Sequence, residues 1–137
     1  MPPKKTKFIP NAPTDDPKKL MNRAGRQMAE ALQGRGDREG ARMAAELAWL
    51  AVSSTADVLA SSWGRVTPGG FKGRESVFKL IDKATGTDFA NTFGLLREDL
   101  HGKMFHDDDF NLDKEEAINY LLNVAKRFIE DALQHKA

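Results

Sequence analysis

Arg97, His101 and His106, with Glu98 and Asp99 beside them, are the residues whose types and spacing suit acid–base chemistry. Arg97 and His101 stand four apart, so on a helix they share a face. A guanidinium there can sit beside a phosphate. An imidazole, which titrates near neutrality, can exchange a proton with a ribose hydroxyl, and this pairing is what RNA cleavage without a metal requires. The same residues also fit a solvated helix face that ends in a loop.

A second group runs from His106 through Asp107, Asp108, Asp109, Asn111 and Asp113. Oxygen ligands at alternate positions resemble the opening of a calcium loop, because a hard cation needs several oxygens close together. Leu112 and Ile118 stand where such a loop needs its glycine and its bidentate glutamate, so the carboxylates read better as loop solvation and helix capping, and no metal is expected. Lys4, Lys5 and Lys7, with Phe8, offer a basic and aromatic contact for nucleic acid, or simply a solubilising tail. The chain has no cysteine, which excludes disulfides, thiolate zinc sites and a Cys nucleophile. It also has no Walker-type phosphate loop and no paired-histidine zinc motif. No cofactor is implied.

The elements that must position these residues are helical. Residues 1–14 hold Pro2, Pro3, Pro10 and Pro13 among lysines and form a flexible basic arm; residues 15–137 form a single domain. Thr14, Asp15, Asp16 and Pro17 announce a first helix to about Gln33, with Leu20, Ala24, Met28, Ala31 and Leu32 on one face. Asp37 caps a long second helix in which Ala41, Ala44, Ala45, Ala48 and Ala51 allow close approach, with Leu47, Leu50, Val58 and Leu59 completing the buried surface. Trp49 belongs to the core, and Trp63 seals the bundle or joins an interface.

The segment RVTPGGFKG reads as an exposed loop. A short helix carrying Val77, Phe78, Leu80, Ile81 and Ala84 follows and ends at Gly86; Thr87 and Asp88 start the next. That fourth helix repeats Phe89, Phe93, Leu96, Leu100 and Met104 and ends near His106. The pair of helices joined through ATGTD does not suit DNA reading, because the second is acidic at Asp88, Glu98 and Asp99. Asp113 and Glu116 have the spacing of a reciprocal cap, and the last helix turns Ile118, Leu121, Leu122, Ala125, Phe128, Ile129, Ala132 and Leu133 to the core. The expected fold is all-α, an antiparallel up-and-down bundle of four to five helices.

A net charge of +1 hides a basic start and an acidic stretch over 98–116. The absence of a signal-like segment or an uninterrupted apolar span predicts a cytoplasmic protein without a membrane partner.

Two stretches, LQGRGDREGARMAAELAWLAVSSTADVLASSWG and LREDLHGKMFHDDDFNLDKEEAINYLLNVAKRFIEDAL, together resemble the PaREP1-like proteins, a helical group related to the HEPN superfamily. Leu100 and His101, with the following Met104 and Phe105, match that group's Leu-His segment. The resemblance covers most of 20–133. It implies a HEPN-like bundle, dimeric, in a superfamily of RNA-cleaving toxins and noncatalytic partners of nucleotidyltransferases. Active members carry an Arg, four to six residues and a His near the dimer axis; here three residues separate Arg97 from His101 and eight separate it from His106.

The expectation is therefore a homodimer that binds RNA, a nucleotide or a nucleotidyltransferase-type protein partner in a toxin–antitoxin or defence setting, without strong catalysis. Two alternatives stand beside it. One is a metal-independent endoribonuclease using Arg97 and His101 or His106 across a dimer; the other is a purely structural dimeric interaction module.

Overall fold

Asp16 accepts a hydrogen bond from the Lys18 amide at 2.9 Å, and Pro17 occupies the first turn, where no amide is needed. These two residues start α1, Pro17–Ala31. The computed structural model describes residues 16–33, 36–67 and 69–137. The arm expected over 1–14, with Lys4, Lys5 and Lys7, lies outside them. Asp37 then caps α2, Arg38–Ser62, by accepting from the Gly40 amide at 3.0 Å. A Cβ at Gly40 would stand 2.5 Å from Asp37 Oδ2, so glycine keeps this cap closed.

Next come α3, Gly70–Thr85, and α4, Phe89–Leu96. The chain continues from α4 without a break into a π-helical segment, Arg97–His106, and ends with α5, Glu115–Leu133. No strand occurs among the described residues.

The centre of the molecule is α2, which touches every other helix and the π segment. Ala41, Ala44, Ala45, Ala48, Ala51 and Ala56 on it are wholly buried, and α1 lies against it through Ala24 and Met28, also wholly buried. Methyl groups at the contact let two backbones approach closely. By length and composition α2 is apolar enough to cross a membrane, but 67% of its most apolar stretch is buried against its own neighbours.

The far side of the core is aromatic. Phe93 of α4, wholly buried, has ring-centroid distances of 4.8 Å to Phe78 of α3, 5.1 Å to Trp49 of α2 and 5.3 Å to Phe71. Phe128 of α5 closes the cluster, 5.0 Å from Phe78. A buried phenylalanine stabilises a fold by about 1.5–3 kcal/mol through area alone, and offset or edge-on ring pairs add to it. This cluster fixes where α4, and so the segment after it, lies. Trp63 seals the end of the bundle, donating from Nε1 to the His135 carbonyl at 3.0 Å.

Several local expectations are corrected. The segment read as a loop through Gly73 is already helical from Gly70, because Phe71 is held by its stack on Phe93. Leu50 and Leu80 are exposed at 48% and 45%, since the neighbouring helices cover only one side of α2 and α3 there. Asp113 and Glu116 form no reciprocal cap: α5 starts after Lys114 with no side-chain cap, and Asn111 instead accepts from the Asp113 amide at 2.9 Å. Asp88 precedes α4 but does not cap it with its side chain.

That last task falls to Asp82, near the end of α3. Its carboxylate accepts from the Phe89 and Ala90 amides at 2.8 and 2.9 Å and from the Thr87 hydroxyl at 2.7 Å. Burial pushes its pKa up, but the hydrogen bonds from Thr87, Ala90 and Phe89 outweigh it and hold the carboxyl below its ordinary value. A pKa lowered by folding adds stability above the unfolded value of 3.8, and that stability is lost as the pH falls through the folded one. Replacing Asp82 with Ala is expected to cost about 1 kcal/mol at neutral pH in urea unfolding. The gap between wild type and Asp82→Asn should narrow as the pH drops below about 4. A gap that stays constant with pH would show that the charge plays no part.

Candidate active site

Glu46 is the only charged residue of α2 between Arg42 and Asp57. A lone carboxylate among core alanines needs a partner, because burial without one is costly. The partner is His101: its Nδ1 lies 2.7 Å from Glu46 Oε1, with the two side chains only 26% and 18% exposed. His101 Nε2 lies 3.1 Å from Nε2 of His106, which is exposed, and the two rings meet edge to face at 4.4 Å. A hydrogen-bonded chain thus runs from a shielded carboxylate through one imidazole to a second at the surface.

The winding of the segment makes the pair. Five residues at α-helical pitch turn through about 500°, leaving two side chains roughly 140° apart around the axis. In a π-helix each amide bonds five residues back, so positions five apart lie one above the other. The Asp107 amide does this, bonding the Gly102 carbonyl at 2.8 Å.

Two arginines of α2 hold the end of the segment. Arg42 donates from Nε and Nη2 to the Phe105 carbonyl at 3.0 and 2.6 Å and pairs with Glu39 at 2.7 Å. Arg38 grips Asp108 at both the carboxylate, 2.8 Å, and the backbone carbonyl, 2.6 Å, while stacking 4.2 Å over Phe110. Asp108 has a positive φ of 53°, a turn that this double grip holds in place. Its carboxylate is therefore turned to Arg38, and the alternating acids of 107–113 do not converge on a cation: no group of three or more His, Asp or Glu among the described residues is arranged to hold a metal.

The expected pairing of Arg97 with His101 gives way to a pairing of His101 with His106. Arg97 is exposed and stacks 4.7 Å over the Phe71 ring, with no ion pair among the described residues, so its guanidinium edge remains open to an anion. The basic residues Lys4, Lys5 and Lys7 lie outside the described residues. Glu46, Arg42 and Arg38 were not singled out by spacing, although the isolation of Glu46 in an apolar run is a signal that points to it.

Chemically, this geometry can relay one proton between the surface and the shielded carboxylate. With Glu46 ionised, His101 donates from Nδ1 to Oε1, and its Nε2 accepts from Nε2–H of His106. Adding a proton makes His101 an imidazolium beside the carboxylate; it then donates from Nε2 to His106, and the outward Nδ1 of His106 holds the exchangeable proton. Comparison with protein-family models, with curated proteins and with solved structures finds no match.

Arg42→Ala is expected to free the end of the π segment. Stability should fall by about 1–2 kcal/mol, the lower part of the range for hydrogen bonds to charged groups, since the side chain is partly solvated. Hydrogen exchange at the Asp107 and Asp109 amides should quicken selectively, and unchanged protection at those two amides would count against the anchoring role.

Proposed function

We propose that this protein is a HEPN-like antiparallel helical bundle that acts on RNA, cleaving it without a metal. The observation that carries the reading is the Glu46–His101–His106 chain, ending on an exposed imidazole. In the proposed reaction the ribose 2′-oxygen forms a bond to phosphorus. Its proton passes to Nδ1 of His106 while the Nε2 proton of His106 moves to His101, leaving an imidazolium next to Glu46. The P–O5′ bond then breaks, and the proton returns by the same route to the leaving oxygen. The products are a 2′,3′-cyclic phosphate and a 5′-hydroxyl. Arg97, stacked on Phe71, offsets the charge that builds on the phosphorane.

Binding of RNA without cleavage is the second reading, favoured by the spacing of Arg97 to either histidine, which departs from that of active HEPN members. The resemblance also supports a toxin–antitoxin or defence setting with a nucleotidyltransferase-type partner, and the cytoplasm is part of the same proposal.

The test is incubation of the purified chain with mixed-sequence RNA in EDTA. Chelator-resistant cleavage should appear and fall by about a hundred-fold or more in His106→Ala, the scale of general acid–base catalysis. Glu46→Gln should shift the pH profile of the cleavage rate as well as lowering it. RNA retention without cleavage, weakened by Arg97→Ala, would replace the enzyme with the binder. Neither cleavage nor retention would leave only the structural interaction module.

A further inference from the structure

We propose that the cavity at one end of the bundle, where Trp63, the last turns of α3 and the tail after α5 meet, is a binding site for a small apolar monocarboxylate. Its volume is about 420 Å³, within the range of about 300–1,000 Å³ that holds small organic ligands.

The walls set the body of the ligand. Leu80, Ile81 and Ala84 of α3 line the cavity together with the Trp63 indole. Leu80 is 45% exposed, so an apolar chain lying on it takes surface out of water that the fold itself leaves wet. The donors in these walls are already spent. The Trp63 Nε1–H goes to the His135 carbonyl at 3.0 Å, and the Thr85 hydroxyl to the Ile81 carbonyl at 2.8 Å.

The two remaining lining residues set the head group. They are Arg65 and His135, and no carboxylate lines the cavity with them. Among the described residues Arg65 has no ion pair and the ring nitrogens of His135 have no hydrogen bond. Both are held at their roots. Gly64 turns the chain at a φ of 77°, and the Arg65 amide closes back on the Ala60 carbonyl at 2.8 Å, which fixes Arg65 against the end of α2. The His135 ring meets Phe89 edge-on at 5.6 Å. A guanidinium takes a carboxylate through two parallel hydrogen bonds, one charge against one. A phosphate monoester carries nearly two negative charges and would be left half-neutralised. The cavity of about 370 Å³ lined by α4 and α5 has no such preference, because Asp88 and Asp131 accompany Arg127 there.

The inference does not rest on RNA cleavage, and its test reads binding alone. The probe is octanoate, titrated into the purified chain by calorimetry and followed by two-dimensional NMR at the Trp63 indole N–H, which lies in the cavity wall. Octanoate should bind with a Kd of ~0.1–1 mM and move the resonances of Trp63, Leu80 and Ala84. Octanol, the same chain without the charge, should bind about ten-fold more weakly. Arg65→Gln should weaken octanoate by about five- to ten-fold, and Leu80→Glu, which sets a carboxylate at the site, should do the same. Both side chains are exposed, so the unliganded variants should keep the helicity and melting temperature of the wild type. No binding in the millimolar range would overturn the proposal. So would equal binding of octanol, undiminished binding by Arg65→Gln, tighter binding of octyl phosphate or of a peptide ending in leucine, or resonance changes that miss Trp63 and Leu80.

Discussion

The structure depends on how little volume α2 presents to its neighbours. Alanine at 41, 44, 45, 48, 51 and 56 gives the central helix a nearly smooth strip on its contact side, beside which it buries Trp49, Val52 and Leu59. Other helices can then gather around its 25 residues, each burying its own long side chains against a nearly smooth rod. Against that strip the bulk comes from Met28 of α1, and on the far side Trp49 joins the rings of α3, α4 and α5 that converge on Phe93.

The candidate site inherits its position from that arrangement. Phe93, Leu96, Leu100 and Met104 keep one side of the α4 and π segments in the core. The over-wide π turn can persist only because both ends are held: the aromatic cluster grips the start, and Arg42 takes the carbonyl near the end. Arg38, a turn earlier on α2, fastens the loop beyond. Glu46 rises from the same helix between these anchors and Trp49, so a single element supplies both the carboxylate that orients His101 and the guanidinium groups that fix the backbone bearing it. Positioning and chemistry are thus combined in α2.

What could be read from the residues in advance was whatever is decided locally. Asp16 with Pro17, and Asp37 with Gly40, are caps written within four residues, and the buried face of α2 follows from alanine spacing. Decisions made across the fold were not legible. The start of α4 is capped by Asp82 from the preceding helix rather than by the adjacent Asp88, and Gly70 begins a helix because Phe71 finds Phe93. Periodicity marks Leu50 as apolar without saying how many neighbours will reach it. The three site residues were in view from their types alone, but their true pairing was not. Hydrophobic spacing through Leu96, Leu100 and Met104 is satisfied by either winding, and only the wider one brings His106 over His101.

The indole of Trp49 lies 6.1 Å from the His101 ring, at an angle of 34°. An imidazolium accepts an electron from an excited indole far more readily than a neutral imidazole does. Of the two tryptophans only Trp49 is in ring contact with His101 among the described residues, so the difference in emission between the wild type and a His101 variant reports on that shielded ring without a label.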